Sequence, residues 1–158
     1  MQVPSDFGVN EADLSVMVVA NDLRAAKQPE ECIMRELARH KYGRECCFAV
    51  RLAIEEALTN AIKHGNNNDR AKSLSIWFHV SDKRVVVGVA DEGNGFKPKA
   101  VPDPTANENL ERPNGRGIML MHAYMTKVCY NQTGNEVWLL KRNTPPARDS
   151  GASQSPKR

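Results

Sequence analysis

Residues Glu45 to His64, ECCFAVRLAIEEALTNAIKH, carry the clearest periodic signal in the chain, and the rest is read outward from them. Phe48, Leu52, Ile54, Ala57, Leu58, Ala61 and Ile62 recur at steps of three and four, which predicts an α-helix with one buried stripe. Gly65, followed by three asparagines and Asp69, marks its end, because Gly and Asn accept the left-handed backbone of a helix C-terminus. Glu56, Asn60 and His64 stand four apart along the border of that stripe and therefore stack on one face. An Asn amide oxygen is a hard ligand suited to Mg²⁺, and a carboxylate one turn earlier can take a proton from a hydroxyl attacking a phosphoryl group. Taken alone, the same residues also describe an ordinary solvated helix face.

Upstream, Leu14 to Ala20 (LSVMVVA) is an apolar run of strand length. Arg24 to Arg39 has a broken helical period, and Pro29 suits an early helical turn, so the firm part of this helix is expected to begin there. Met1 to Asp13 is polar and reads as a loose arm. Downstream, Leu74 to Ser81 alternates apolar and polar residues and Val85 to Ala90 is rich in β-branched ones. The link Asp82-Lys83-Arg84 pairs them as a hairpin. Ile118 to Met125 is helix-prone, and Lys127 to Tyr130 and Glu136 to Lys141 read as two further strands. From Pro145 onward Pro, Ser, Gly and charge dominate, which predicts disorder over 144–158. The reading is thus one domain, 14–143, between an arm (1–13) and a tail.

Composition excludes several classes. No run of eighteen apolar residues occurs, so no membrane span is expected, and the start of the chain does not read as a secretory signal. The net charge of +3 invites a nucleic-acid reading, yet Lys141 to Arg158 holds five basic residues and one acid, a net of +4, leaving −1 for the remainder. A near-neutral body with a basic tail is a poor footprint for phosphate-backbone binding, so no nucleic-acid partner is expected. Cys32, Cys46, Cys47 and Cys129 lack metal-site spacing and read as free thiols in a reducing cytoplasm.

Two glycine clusters complete the pattern. Asp91-Glu92-Gly93-Asn94-Gly95-Phe96 directly follows a strand, where alternate glycines let backbone approach a ligand and an Asp can accept from an exocyclic amine. By itself this is equally a turn leaving a strand. Asn114-Gly115-Arg116-Gly117-Ile118 precedes a helix, where unpaired N–H groups favour phosphate and Arg112 and Arg116 add charge. By itself it is equally a loop. Between the clusters, Gly93 to Asn114 holds Pro98, Pro102, Pro104 and Pro113, a long irregular stretch of the kind that is often functional.

In combination, a helix with ExxxN, a strand followed by DxGxG, and a GxG loop opening a helix resemble the GHKL-type (Bergerat-fold) ATPases, the superfamily of gyrase, histidine kinases and MutL. EEALTNAIKHG (Glu55 to Gly65) looks like the N-box, DEGNGF the first glycine box and GRGIMLM (Gly115 to Met121) the second. The resemblance covers about Leu14 to Arg142. The wording EALTNAIKHG and the chain length are most similar to the anti-sigma-factor serine/threonine kinases of partner switching.

That resemblance implies an α+β two-layer sandwich, a mixed β-sheet with helices on one face. It implies ATP and Mg²⁺ as cofactors. Glu56 would be the general base, with Glu55 the alternative should the register slip by one, and Asn60 the Mg²⁺ ligand. Asp91 would hold the adenine amino group, with Gly93 and Gly95 allowing close approach. Gly115, Gly117, Arg112 and Arg116 would contact phosphates, and Lys99 to Asn114 would form the lid. His64 would close the helix. Such proteins act in the cytoplasm, bind a sigma factor and an antagonist (anti-anti-sigma) protein, phosphorylate a serine or threonine of the antagonist, and commonly form homodimers. Arg24 lies near a position where they often carry a partner-contacting Arg. One departure is the absence of Ser or Thr from Glu136 to Lys141, which leaves a water-mediated adenine contact unassigned. Two other readings remain open from sequence: a non-catalytic, nucleotide-shaped binding module, and a detached kinase domain that phosphorylates His in trans.

Overall fold

The computed structural model describes residues 1–94 and 121–144. Five strands form one sheet: β1 (Ser15–Ala20), β2 (Ser73–Val80), β3 (Arg84–Ala90), β4 (Lys127–Tyr130) and β5 (Glu136–Arg142). Two helices, α1 (Leu23–Arg39) and α2 (Arg44–Asn60), lie between β1 and β2 in sequence. They pack on one face of the sheet, giving the α+β two-layer arrangement expected from the sequence.

The sheet order is β1-β2-β3-β5-β4, and every pair among these strands is antiparallel. The expected mixed sheet is therefore corrected to an antiparallel one over the described residues. The reason is connectivity. A crossover of one helix returns the chain parallel to its starting strand. Two helices separate β1 from β2, so the chain reverses once more and pairs antiparallel. β3 and β4 do run in the same direction, but β5 lies between them and is antiparallel to both.

α1 begins earlier than the sequence suggests. The Asp22 side chain accepts a hydrogen bond from the Ala25 N–H at 2.7 Å and caps the helix, so Pro29 falls inside it. Its missing N–H removes one bond of the ladder, while the flanking Ala26, Glu30, Ile33 and Leu37 are buried and hold the helix to its neighbours. In α2 the buried positions are small or branched: Cys46, Ala49, Val50, Ala53, Ile54, Ala57 and Leu58. Phe48, expected in the stripe, is instead 54% exposed and meets Tyr124 edge-on, with ring centroids 6.0 Å apart. It sits where the stripe gives way to the solvent side, a border that periodicity alone does not draw.

The opposite face of the sheet is also covered. Val3 and Phe7 of the N-terminal segment pack on Val86, Trp138 and Leu140, with Trp77 stacked on Trp138 at 5.9 Å. Arg84 donates to the Phe7 carbonyl at 3.1 Å, and Lys127 pairs with Asp6. The arm expected to be loose is thus seated, because Phe7, 1% exposed, supplies the cover this face needs. β3 is consequently buried on both sides, with Val85, Val87 and Val89 toward the helices and Val86 toward the arm. The four cysteines are free thiols, and no described helix is long and apolar enough to cross a membrane.

Candidate functional site

α2 does not stop at Asn60. It widens into a π-helical turn, Ala61–Gly65, closed by a bond from the Asn66 N–H to the Ala61 carbonyl at 2.8 Å. Such widened turns recur at functional sites. Asn67 and Asn68, rather than Gly65, take the left-handed conformation that ends the helix (φ 51° and 58°).

Gly65 has a different task. A Cβ there would collide with the Asp91 carboxyl group, and a Cβ on Gly93 would collide with the Gly65 carbonyl. Both glycines are thus required by close approach, and the loop after β3 is pressed against the end of the long helix. This contact unites two of the sequence clusters. Asn60 and Glu56 lie about one and two helical turns before Gly65.

Asp91 is half-buried at the end of β3. Its backbone N–H donates to the Asn135 carbonyl at 2.9 Å, and its Oδ1 accepts from the Gly93 N–H at 2.8 Å. Burial pushes its carboxyl above the usual range, partly offset by the Gly93 bond and by the charge of Lys72. Oδ2 has no hydrogen bond among the described residues. The site therefore offers an acceptor in a partly desolvated place.

The helix face separates the two adjacent carboxylates. Glu55 pairs with Lys27 of α1 at 3.5 Å. Lys27 also approaches Glu30 at 3.8 Å, and Arg51 pairs with Glu30 at 2.9 Å. Burial, then the charge of Glu55, raise the Glu30 carboxyl above its ordinary range. Glu55 is thus committed to the contact between helices. The side chains of Glu56 and Asn60 are half-buried and have neither hydrogen bond nor ion pair among the described residues. His64 is exposed and likewise unpartnered among them, so it makes no helix-closing bond there. Arg24 is exposed at the start of α1. Gly95, Arg112, Gly115, Arg116 and Gly117 lie outside the described residues, as does the stretch 99–114.

Sequence reading missed Asn66, which is 0% exposed. Its Nδ2 donates to Asn21 Oδ1 at 2.9 Å and to the Ser73 carbonyl at 3.1 Å, while its Oδ1 accepts from the Glu92 N–H at 2.8 Å. Glu92 in turn accepts from the Ser73 N–H and hydroxyl. Standing first of three asparagines, Asn66 gave no sign that it differs from the two that turn the chain. Asn135 was missed too; its Nδ2 donates to the Gly93 carbonyl at 3.3 Å.

Comparison with known proteins agrees with the fold. The model for the histidine kinase-like ATPase domain matches residues 19–141. The serine-protein kinase RsbW of Staphylococcus epidermidis is 28% identical over 99 residues, 58% of this chain and 62% of that protein. RsbW of Oceanobacillus iheyensis is 27% identical over 99 residues, 59% of this chain and 63% of that protein. The chain thus matches somewhat under two thirds of these relatives' length. Among solved structures, one of the RsbU and RsbW domains of a Mycobacterium tuberculosis protein superposes with a TM-score of 0.55 at 17% identity. It covers 85% of this chain and 34% of that one, a likeness of fold.

Proposed function

The chain belongs to the histidine kinase-like ATPase family, and from that premise we propose that it is an ATP-dependent protein serine/threonine kinase and anti-sigma factor. In this reading it holds a sigma factor and phosphorylates a hydroxyl of an antagonist protein. The similarity to serine-protein kinases named RsbW supports the kinase branch. The observation that carries the reading is the unpartnered Glu56–Asn60 pair on a helix whose end is packed onto Asp91.

Each residue then has a part. Asp91 accepts from the adenine amino group through its free oxygen, and Gly93 keeps the loop close to the helix. Asn60, a hard oxygen donor without a described partner, would hold a Mg²⁺ ion, which would supply neutralisation of charge on the phosphates. Glu56 accepts the proton of the attacking hydroxyl, and the commitment of Glu55 to Lys27 leaves it the free carboxylate of the two. Gly95, Gly115 and Gly117 with Arg112 and Arg116 complete the nucleotide contacts.

Glu56→Gln tests this assignment. The amide keeps the shape but cannot take a proton, so transfer from radiolabelled ATP to the antagonist should fall by about 10²–10⁴-fold while nucleotide affinity survives. Wild-type protein showing no affinity for ATP with Mg²⁺ in calorimetry would overturn the proposal. Transfer unchanged in Glu56→Gln would remove Glu56 as the base. Nucleotide binding without any transfer by wild type would favour a binding module, and acid-labile phosphate on the acceptor a histidine kinase.

A further inference from the structure

Asn66 is not part of the sequence motifs, yet it is the most completely engaged polar side chain beside them. Its amide uses both N–H groups and its oxygen, and no part of it reaches solvent. The three bonds reach three separate segments. One goes to Asn21, between β1 and the Asp22 cap of α1; one to Ser73, the first residue of β2; one to the backbone of Glu92, next to Asp91. Asn21 is itself tied by its Nδ2 to the Asp69 carbonyl at 3.0 Å.

Building on the nucleotide reading above, we propose that Asn66 is a positioning residue for adenine recognition, fixing the Asp91–Gly93 loop through its bond to the Glu92 N–H. The loop's other holds are the Asn135 carbonyl on Asp91, the Asn135 amide on Gly93 and the Glu92 carboxylate on Ser73. The bond from Asn66 is the one that ties its backbone to the helix-end segment following Gly65. The tight fit of Gly65 against Asp91 fixes how close helix and loop come, whereas the Glu92–Asn66 bond fixes where the loop sits across that contact. A preset acceptor binds better than one that must be ordered on binding, because the ordering cost has been met during folding.

Two substitutions separate positioning from mere support. Asn66→Asp keeps an oxygen for the Glu92 N–H but loses both donors; Asn66→Ala loses all three bonds. Both should lower the melting temperature, since each leaves buried partners unsatisfied. The affinity for an adenine nucleotide, measured by calorimetry well below melting, should divide them. The Ala variant should bind about tenfold more weakly, and the Asp variant within about twofold of wild type. Combined with Asp91→Asn, Asn66→Ala should add little further loss, because it acts through the same loop. Equal affinity losses in the two single variants, or full additivity with Asp91→Asn, overturn the proposal. Should the Ala variant fail to fold, wild type gives the answer: saturating nucleotide should slow exchange of the Glu92 amide and shift the Asn66 side-chain amide signals. Unchanged signals under saturation overturn it. Wild type that binds no adenine nucleotide refutes the functional reading itself, whereas wild-type binding with an unaffected Ala variant refutes this inference alone.

Discussion

Replacing Gly65 by alanine tests the junction on which the site depends. The added Cβ would fall onto the Asp91 carboxyl group, so either that side chain or the loop must give way. Asp91 is not free to swing, because its Oδ1 holds the Gly93 N–H and its own N–H is paired with Asn135. Overpacking of this kind costs about 1–3 kcal/mol. Alanine ordinarily gains about 0.5–1 kcal/mol over glycine in helical backbone, which leaves a net loss of up to about 2.5 kcal/mol. For a chain of this size that is a fall in melting temperature of up to roughly 10 °C. Gly43→Ala is the matched control. Gly43 precedes α2 with nothing within 4 Å of the space its Cβ would take, so stability should stay within about 0.5 kcal/mol. Urea unfolding of both variants, with nucleotide titration, reads the contrast: Gly65→Ala should lose affinity along with stability, and Gly43→Ala neither. Should the two variants unfold at the same urea concentration and bind nucleotide alike, the claim that loop and helix end are pressed together is refuted.

Two further outcomes concern the arm and the acid. Phe7→Ala should cost about 3 kcal/mol in urea unfolding, as for other large aromatic truncations in a core, and a loss below about 1 kcal/mol would show that the arm is not seated. Asp91→Asn should unfold later than wild type at neutral pH while losing nucleotide affinity. Burial raises the Asp91 carboxyl, so the folded chain holds that proton more tightly than the unfolded chain. The ionised group therefore costs stability above its folded pKa. That cost fades as pH falls toward the ordinary value of 3.8 and is gone below it. The advantage of Asn, which keeps an oxygen for the Gly93 N–H, should vanish at about pH 3.5. A variant less stable than wild type at neutral pH would mean that the carboxylate is paired rather than desolvated.

What the sequence made legible was local. The α2 stripe, the hairpin of β2 and β3, and the bounds of β4 all follow from periodicity within a few residues. The strand directions did not, because the place of β5 between β3 and β4 is a choice made by distant parts of the sheet. The seat of the arm hangs on single residues such as Phe7, which form no period. Glu56, Asn60 and Asp91 were singled out as candidates by spacing and by position after a strand. Asn66 was not, since a buried amide and a turn-forming one look alike in a run of three asparagines. Gly65 reads in sequence as a helix terminator, a task that Asn67 and Asn68 perform, and its contact with Asp91 joins residues 26 apart and leaves no local trace.

The seated arm bears on how the protein is handled at the bench. The amino group of Met1 lies 4.0 Å from Glu136, the neighbour in sequence of the Asn135 that steadies the Asp91 loop. An affinity handle joined ahead of Met1 would start there, behind the sheet yet one residue from that support. Ligand titrations are therefore best run once such a handle has been cleaved away.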